Sequence, residues 1–188
     1  EYNKQRKDID KQMTEEANLI VSRLETQKHN SSIVLYDEGW KKGVIGIVAS
    51  RLTEIYFRPT VVLTRDGDLA TGSARSVTGF DVYSAIKSCR DLLINFGGHT
   101  YACGLTMKWE NVKEFRDRFH QYVAEHIAPE QTEAMLNIDA MIDFKDITKQ
   151  LHSDLKKFSP FGPCNSKPIF CTQNVYDYGT SKVVGREQ

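Results

Sequence analysis

The 188-residue sequence lacks an excess of charge of either sign, because 25 lysines and arginines stand against 25 aspartates and glutamates. This balance excludes a long basic tail and a strongly cationic protein that wraps nucleic acid. A few arginines in one groove would still be enough to bind an anion. No apolar run approaches the roughly 20 residues of a membrane-spanning helix, so we expect no membrane partner.

Motifs for catalysis are missing as well. The five histidines are scattered, and neither an H-E-x-x-H nor a D-H-H cluster is present. A G-x-S-x-G nucleophile motif is also absent. The four cysteines show no C-x-x-C spacing, which is typical of reduced thiols in a cytoplasmic protein. We therefore expect no catalytic residue, no metal ligand and no bound cofactor in this chain.

The first 29 residues are predicted to form one connecting helix. Apolar residues recur in steps of three and four, notably at Ile9, Met13, Ile20 and Leu24. We expect part of this stripe to pack on a preceding domain. The sequence begins inside a charged helical pattern without a methionine and ends just after an apolar stretch. It is therefore expected to be a fragment of a longer protein.

Strand and helix patterns alternate through residues 30–128, which predicts an α/β domain with helices packed on a sheet. The predicted strands are 32–36, 60–64, 69–76 and 104–109, with a hairpin turn predicted at "RDGD" (65–68), and the predicted helices are 42–57, 80–96 and 111–127. Residues 129–188 are predicted to begin a second, β-rich domain. Its predicted elements are strands at 135–144 and 169–178 and a helix at 146–158.

The segment "ATGSARS" (70–76) resembles an anion-binding cradle. Ser73 and Ser76 offer hydroxyl groups, and Arg75 offers a planar fork that matches phosphate oxygens. Taken alone, the segment is better interpreted as the polar end of a strand that carries one solvated arginine, and the functional interpretation depends on its combination with the glycine-rich segment that follows.

The segment "NFGGHTYACG" (95–104) presents Gly97, Gly98, His99 and Gly104. Paired glycines indicate a tight turn or a close approach of another group to the backbone, and a histidine can donate a hydrogen bond to an anion. A tight turn with a structural histidine is the competing interpretation. A third candidate is "WKKG" (40–43), where basic residues precede a predicted helix, although a helix entry fixed by a buried tryptophan is an equal alternative.

The segments at 39–64, 70–107 and 115–119, in this order, resemble the DHH-associated domain of the RecJ family of single-strand-specific DNA exonucleases. The stretch "LKKFSPFGPCNSKPIF" (155–170) resembles the start of that family's oligonucleotide-binding-fold domain. The resemblance implies a preceding DHH domain in the same polypeptide that binds two divalent metals, Mn²⁺ or Mg²⁺, and hydrolyses the phosphodiester. This chain would then grip the phosphates of single-stranded DNA.

The resemblance also assigns site residues. The family's G-G-H-x-x-A-A-G motif corresponds to Gly97, Gly98, His99, Ala102 and Gly104, and its serine–arginine–serine stretch to Ser73, Arg75 and Ser76. In this interpretation the glycines let a phosphate approach, and Arg75 and His99 contact the same phosphate.

Three positions depart from the family pattern. Cys103 replaces an alanine, Lys41 replaces a histidine, and Cys164 replaces a glycine. Two alternatives remain open at the level of sequence. One is a smaller DHH-family phosphodiesterase acting on oligonucleotides or cyclic dinucleotides. The other is a non-catalytic nucleic-acid-binding module like the C-terminal region of alanyl-tRNA synthetase.

Overall fold

A computed structural model describes residues 2–25, 31–162, 164–179 and 182, including the side chains of residues 6–23 in the first helix. The chain divides into two compact units, with the boundary between Ala134 and Met135. The first unit contains α1 (Tyr2–Glu25), β1 (Ile33–Asp37), α2 (Ile45–Tyr56), β2 (Thr60–Asp66), β3 (Leu69–Arg75), α3 (Val82–Ser88), β4 (Leu93–His99), β5 (Ala102–Lys108) and α4 (Val112–His126). The last residues of the predicted connecting helix, 26–29, lie outside the described residues.

The first unit is built on a five-stranded sheet with the strand order β1-β2-β3-β5-β4. Strands β1 and β2 are parallel and are joined by α2, as a parallel pair requires a crossover connection. The other pairs are antiparallel. Between β2 and β3, Gly67 has a φ of 63°, which glycine adopts without steric cost, and this confirms the turn predicted at "RDGD". The predicted α/β fold is confirmed.

The helix predicted over 80–96 is wrong in its second half. Helix α3 ends at Ser88, a 3₁₀ turn follows at Arg90–Leu92, and residues 93–99 form the edge strand β4. The helical spacing of the apolar residues is real, but backbone pairing with β5 along the whole strand outweighs it. Gly97, Gly98 and His99 therefore end a strand.

One face of the sheet carries the larger core. Side chains of β2, β3 and β5 alternate onto this covered face, where α3 and α4 pack against them. Phe115 and Phe119 of α4 are fully buried and stack with their ring centroids 5.8 Å apart. The strand residues of the covered face are Val34, Val61, Leu63, Ala70, Gly72, Ala74, Cys103, Leu105 and Met107.

The opposite face is covered only over β1, β2 and part of β3, where α1 and α2 pack. Met13 is buried against this second core and Ile9 and Ile20 are half-buried, while the side chain of Leu24 lies outside the described residues. An ion pair of 2.6 Å between Asp10 and Arg51 joins the two helices. Part of the stripe predicted to meet another domain is thus buried within this chain.

The second unit contains β6 (Ala140–Met141), α5 (Lys149–Lys156) and β7 (Phe170–Cys171), and β6 pairs with β7 in parallel. The ten-residue strands predicted at 135–144 and 169–178 are therefore wrong in length, since two residues of each are paired. Cys164 has a φ of 64°. This is the conformation that favours glycine, the residue expected there from the family pattern.

Candidate nucleic-acid interface

Three rows of residues cross the uncovered side of the sheet from β3 through β5 to β4. The strand register pairs Arg75 with Ala102 and Ala102 with His99, so the three lie side by side on one face. Because side chains alternate along a strand, neighbouring rows point to opposite faces of the sheet and every second row points to the same face. The rows are Arg75–Ala102–His99, Ser73–Gly104–Gly97 and Thr71–Thr106–Asn95, and we call these nine residues the open surface.

The strands bring the two sequence segments singled out above together at this surface. Arg75 and His99 are separated by two strand-to-strand steps, or about 10 Å between their Cα atoms. The residue between them, Ala102, is small, and in the next row Gly104 faces Gly97 with no side chain on either strand. The result is a strip of bare backbone beside a row that carries a guanidinium at one end and an imidazole at the other.

The guanidinium of Arg75 is held on three sides. Nε donates to Ser50 Oγ at 3.1 Å, and Nη1 donates to Ser73 Oγ at 2.7 Å and to the carbonyl of Ala74 at 2.8 Å. Nη2 has no acceptor among the described residues, so one edge of the fork is available to an anion. Burial lowers the pKa of Arg75 from its usual value, but an arginine remains charged at neutral pH.

Helix α2 supplies the support for this arginine, and this contact was not predicted from the sequence. A Cβ on Gly46 would lie 2.9 Å from Arg75 Nη2 and 3.1 Å from Ser73 Oγ, so only glycine fits without displacing the guanidinium. Ser50 lies one turn later, donates to the Gly46 carbonyl and accepts from Arg75. The small residues at i and i+4 of "GIVAS" share one helix face and could have signalled this contact.

His99 presents a ring N–H that has no acceptor among the residues that the structure describes. Its Nδ1 accepts a hydrogen bond of 3.3 Å from the backbone N–H of Tyr101, which places the ring proton of the neutral imidazole on Nε2. The turn after His99 is fixed by two backbone hydrogen bonds, from Ser76 N–H to the Tyr101 carbonyl and from Val82 N–H to the Thr100 carbonyl. These hydrogen bonds fix the turn next to the exposed imidazole.

Two of the predicted site residues have structural reasons for their identity. The hydroxyl of Ser76 donates to the carbonyl of Phe80 at 2.7 Å and closes the loop before α3. Gly98 has a φ of 151°, and a Cβ there would lie 2.2 Å from the carbonyl oxygen of Ala102. Gly98 is thus required by the neighbouring strand. Gly97, which has open space where a Cβ would be, and Gly104 form the accessible pair.

A cavity of about 350 Å³ adjoins the glycine pair. Its lining residues are Lys42, Thr71, Gly72, Asn95, Phe96, Gly97, Gly104, Leu105 and Thr106. Lys42 comes from the "WKKG" segment, whose Trp40 is buried and donates to Glu16 at 3.2 Å. The helix entry is thus fixed by a buried tryptophan, while Lys42 lines the cavity.

Within the described ranges, no three histidine, cysteine, aspartate or glutamate residues are grouped so that they could hold a metal ion. None of the helices in that part of the chain is long and apolar enough to cross a membrane.

A family model for the DHHA1 domain matches residues 16–125, which include the whole sheet and the open surface. This chain belongs to the DHHA1 domain family. A second model, for the RecJ OB domain, matches residues 138–188 of the same DHHA1 protein. Both parts of the resemblance seen in the sequence are confirmed.

Relatives of this DHHA1 chain carry the RecJ name. This chain is 35% identical over 177 residues to the single-stranded-DNA-specific exonuclease RecJ of Bacillus subtilis, and the match covers 93% of this chain and 22% of that protein. It is similar to the crystal structures of Thermus thermophilus RecJ in complex with Mg²⁺ (TM-score 0.76, 26% identity) and Mn²⁺ (TM-score 0.75, 27% identity). These matches cover 89% and 90% of this chain and 25% and 24% of the RecJ chains. The chain therefore spans about a quarter of the length of these three relatives.

Proposed function

We propose that this chain is the substrate-binding part of a 5′-to-3′ single-stranded DNA exonuclease. In this proposal a DHH domain elsewhere in the same polypeptide binds the divalent metal, Mg²⁺ or Mn²⁺, and hydrolyses the phosphodiester. The names and bound metals of the related RecJ proteins support this assignment. The match of residues 138–188 to the RecJ OB domain favours it over a smaller DHH-family phosphodiesterase and over a synthetase-like binding module.

The observation that carries the proposal is the placement of Arg75 and His99 in one row beside the Gly97–Gly104 pair. The glycines allow the sugar-phosphate backbone to lie against the sheet. Arg75 Nη2 and His99 Nε2 then donate to it from either side. Because these contacts are to phosphate, they position the strand without selecting a base sequence. That a single phosphate meets both donors stays a prediction.

The test is the affinity of this chain for a fluorescent oligothymidylate, measured by anisotropy at low salt. Arg75→Ala is expected to weaken binding by roughly ten- to a hundredfold, the equivalent of a lost charge-assisted hydrogen bond. His99→Ala removes a single N–H hydrogen bond, so its loss should be smaller. Losses of the same size are expected with an oligonucleotide of mixed sequence.

Matched controls lie on the other side of the sheet. Arg118 of α4 forms exposed ion pairs with Asp91 and Glu114, and His126 ends the same helix. Arg118→Ala and His126→Ala should leave the affinity unchanged. If Arg75→Ala binds as tightly as the wild-type chain, the proposed interface is wrong.

A further inference from the structure

The cavity beside the glycine pair extends the open surface away from Arg75 and His99. Its polar side chains are Thr71, Thr106 and Asn95, which form the third row, together with Lys42 from the segment before α2. Among the described residues, none of the three row side chains has a hydrogen-bond partner. Two hydroxyls and an amide without partners among the described residues thus line one cavity together with a lysine.

Lys42 is held weakly. Its Nζ lies 3.6 Å from Asp66 Oδ2, and both side chains are about two-thirds exposed, at 64% and 67%. Exposed ion pairs of this kind contribute little, so the ammonium can exchange this partner for another anion at small cost.

The spacing of the rows matches a chain of nucleotides. Successive rows on one face of a strand are about 7 Å apart, which is comparable to the distance between neighbouring phosphates of an extended single strand. A strand held by Arg75 and His99 that runs along β3 and β5 would pass over Gly97 and Gly104. It would then reach the third row and Lys42.

We propose that this cavity is a second nucleotide subsite, in which Lys42 contacts a further phosphate of the same single strand. Thr71, Thr106 and Asn95 supply neutral hydrogen bonds to the same nucleotide. The inference rests on the proposed function, because it assumes that Arg75 and His99 hold the first phosphate. It adds that the site requires more than one nucleotide to be filled.

The probes are 5′-phosphorylated thymidine and 5′-phosphorylated oligothymidylates of three to six nucleotides, which are long enough to reach the third row, titrated into the 188-residue chain by chemical shift or calorimetry. Lys42→Gln should weaken the longer ligands by roughly three- to tenfold and leave the mononucleotide unchanged. The slope of log affinity against log salt for the longer ligands should become shallower by about 0.7, the value for one phosphate contact on a single strand. Asp66→Asn, which removes the competing carboxylate, should strengthen the longer ligands.

Lys113, on the helix that packs against the covered face, provides the control, and Lys113→Gln should leave both ligand classes unchanged. The subsite is wrong if Lys42→Gln leaves the longer ligands unchanged, or weakens the mononucleotide equally, while Arg75→Ala still weakens both. It is also wrong if Asp66→Asn weakens the longer ligands. If Arg75→Ala affects no ligand of any length, the proposed function itself fails, and the two failures are thereby distinguished.

Discussion

The two faces of the five-stranded sheet use the same strands for different purposes. On the covered face, β3 and β5 present Ala70, Ala74, Leu105 and Met107, all of them buried. On the other face the same two strands present threonine, serine, arginine, alanine and glycine. Helix α2 covers this face only at β2 and the adjoining part of β3. The two faces therefore differ because alternate residues of β3 and β5 are apolar on one side and small or polar on the other.

The contrast shows that the residues that stabilise the fold and the residues available for binding lie on opposite faces of the sheet. Burial of apolar side chains on the covered face contributes about 25 cal/mol for each Å² removed from water. The open surface buries little and leaves donors, including Arg75 Nη2 and the side chain of Asn95, without partners in the part of the chain that the structure describes. A substitution on the covered face should therefore change stability, and one on the open surface should change binding.

The largest effect is expected at Gly98. An added methyl group would lie 2.2 Å from the Ala102 carbonyl oxygen and 2.7 Å from Cys103 Cα, and both of these are backbone atoms that cannot rotate away. Gly98→Ala should lower the free energy of unfolding by about 3 kcal/mol or more, through overpacking and backbone strain. Chemical denaturation monitored by circular dichroism measures it.

The neighbouring glycine is the control for this prediction. Gly97 has no atom within 4 Å of where its Cβ would be, so Gly97→Ala should leave the free energy of unfolding nearly unchanged. Equal destabilisation by both substitutions would show that the edge strand β4 does not pair with β5 in the register described.

The second effect concerns binding alone. Gly97→Val would place a branched side chain on the open surface beside Gly104 and block approach of the phosphate backbone. We expect a loss of affinity of about tenfold or more, equivalent to about 1.4 kcal/mol, with no loss of stability because valine is favoured in strands. Anisotropy with oligothymidylate, together with a thermal melt, separates the two outcomes. Unchanged affinity would remove the glycine pair from the interface.

Gly72 provides the complementary case on the covered face. A methyl group there would lie 2.5 Å from Leu63 Cδ2 and 3.0 Å from Leu105 Cδ2, which are the ends of side chains that can adjust. Gly72→Ala should therefore lower the free energy of unfolding by about 1 kcal/mol, at the low end for overpacked cores. Affinity for DNA, measured where the variant is fully folded, should not change. A variant that is stable but binds poorly would contradict the separation of the two faces.

The smallest effect is a difference between two histidines. His120 on α4 is half-buried and forms a 2.6 Å hydrogen bond between Nδ1 and Ser32 Oγ. Burial, reinforced by the charge of Arg116, lowers the pKa of His120. The proton therefore binds preferentially to the unfolded chain. Stability from this residue is complete above the unfolded pKa of about 6.5 and is lost as the pH falls through the lower folded-state value.

Denaturation at a series of pH values tests this. The free energy of unfolding should fall between about pH 7 and pH 5, and His120→Gln should show a smaller fall. His126→Gln, an exposed position on the same helix, should behave like the wild-type chain. If His99→Gln on the open surface removes the pH dependence instead, the assignment of the pH dependence to His120 is wrong.

The parts of this account that could be predicted from sequence depend on local patterns. The alternation of strands and helices gave the α/β fold, and the turn at Gly67 followed from local turn chemistry. Once β3 is assigned, the period of two along a strand places Arg75, Ser73 and Thr71 on one face. The two glycine-bearing segments, 70–76 and 95–104, were predicted as anion-binding candidates from the residue types that they carry.

The parts that could not be predicted depend on the neighbour across the sheet. Strand β4 has the apolar spacing of a helix, and only its pairing with β5 makes it a strand. The reason for glycine at position 98 is the backbone of Ala102 and Cys103, which no local pattern shows. Lys42 and the third row line one cavity although they come from separate segments of the chain. Such contacts between distant segments exist only after the chain has folded.

The most direct test of the account is a map of backbone amide chemical shifts as oligothymidylate is added to ¹⁵N-labelled chain at low salt. We expect saturable shifts that cluster on β3, β4 and β5 around Arg75, Gly97, His99 and Gly104, with residues of α3 and α4 unaffected. Arg75→Ala should abolish most of them at the same DNA concentration. Shifts that cluster on α4, or that persist unchanged in Arg75→Ala, would contradict the assignment of DNA binding to the open surface.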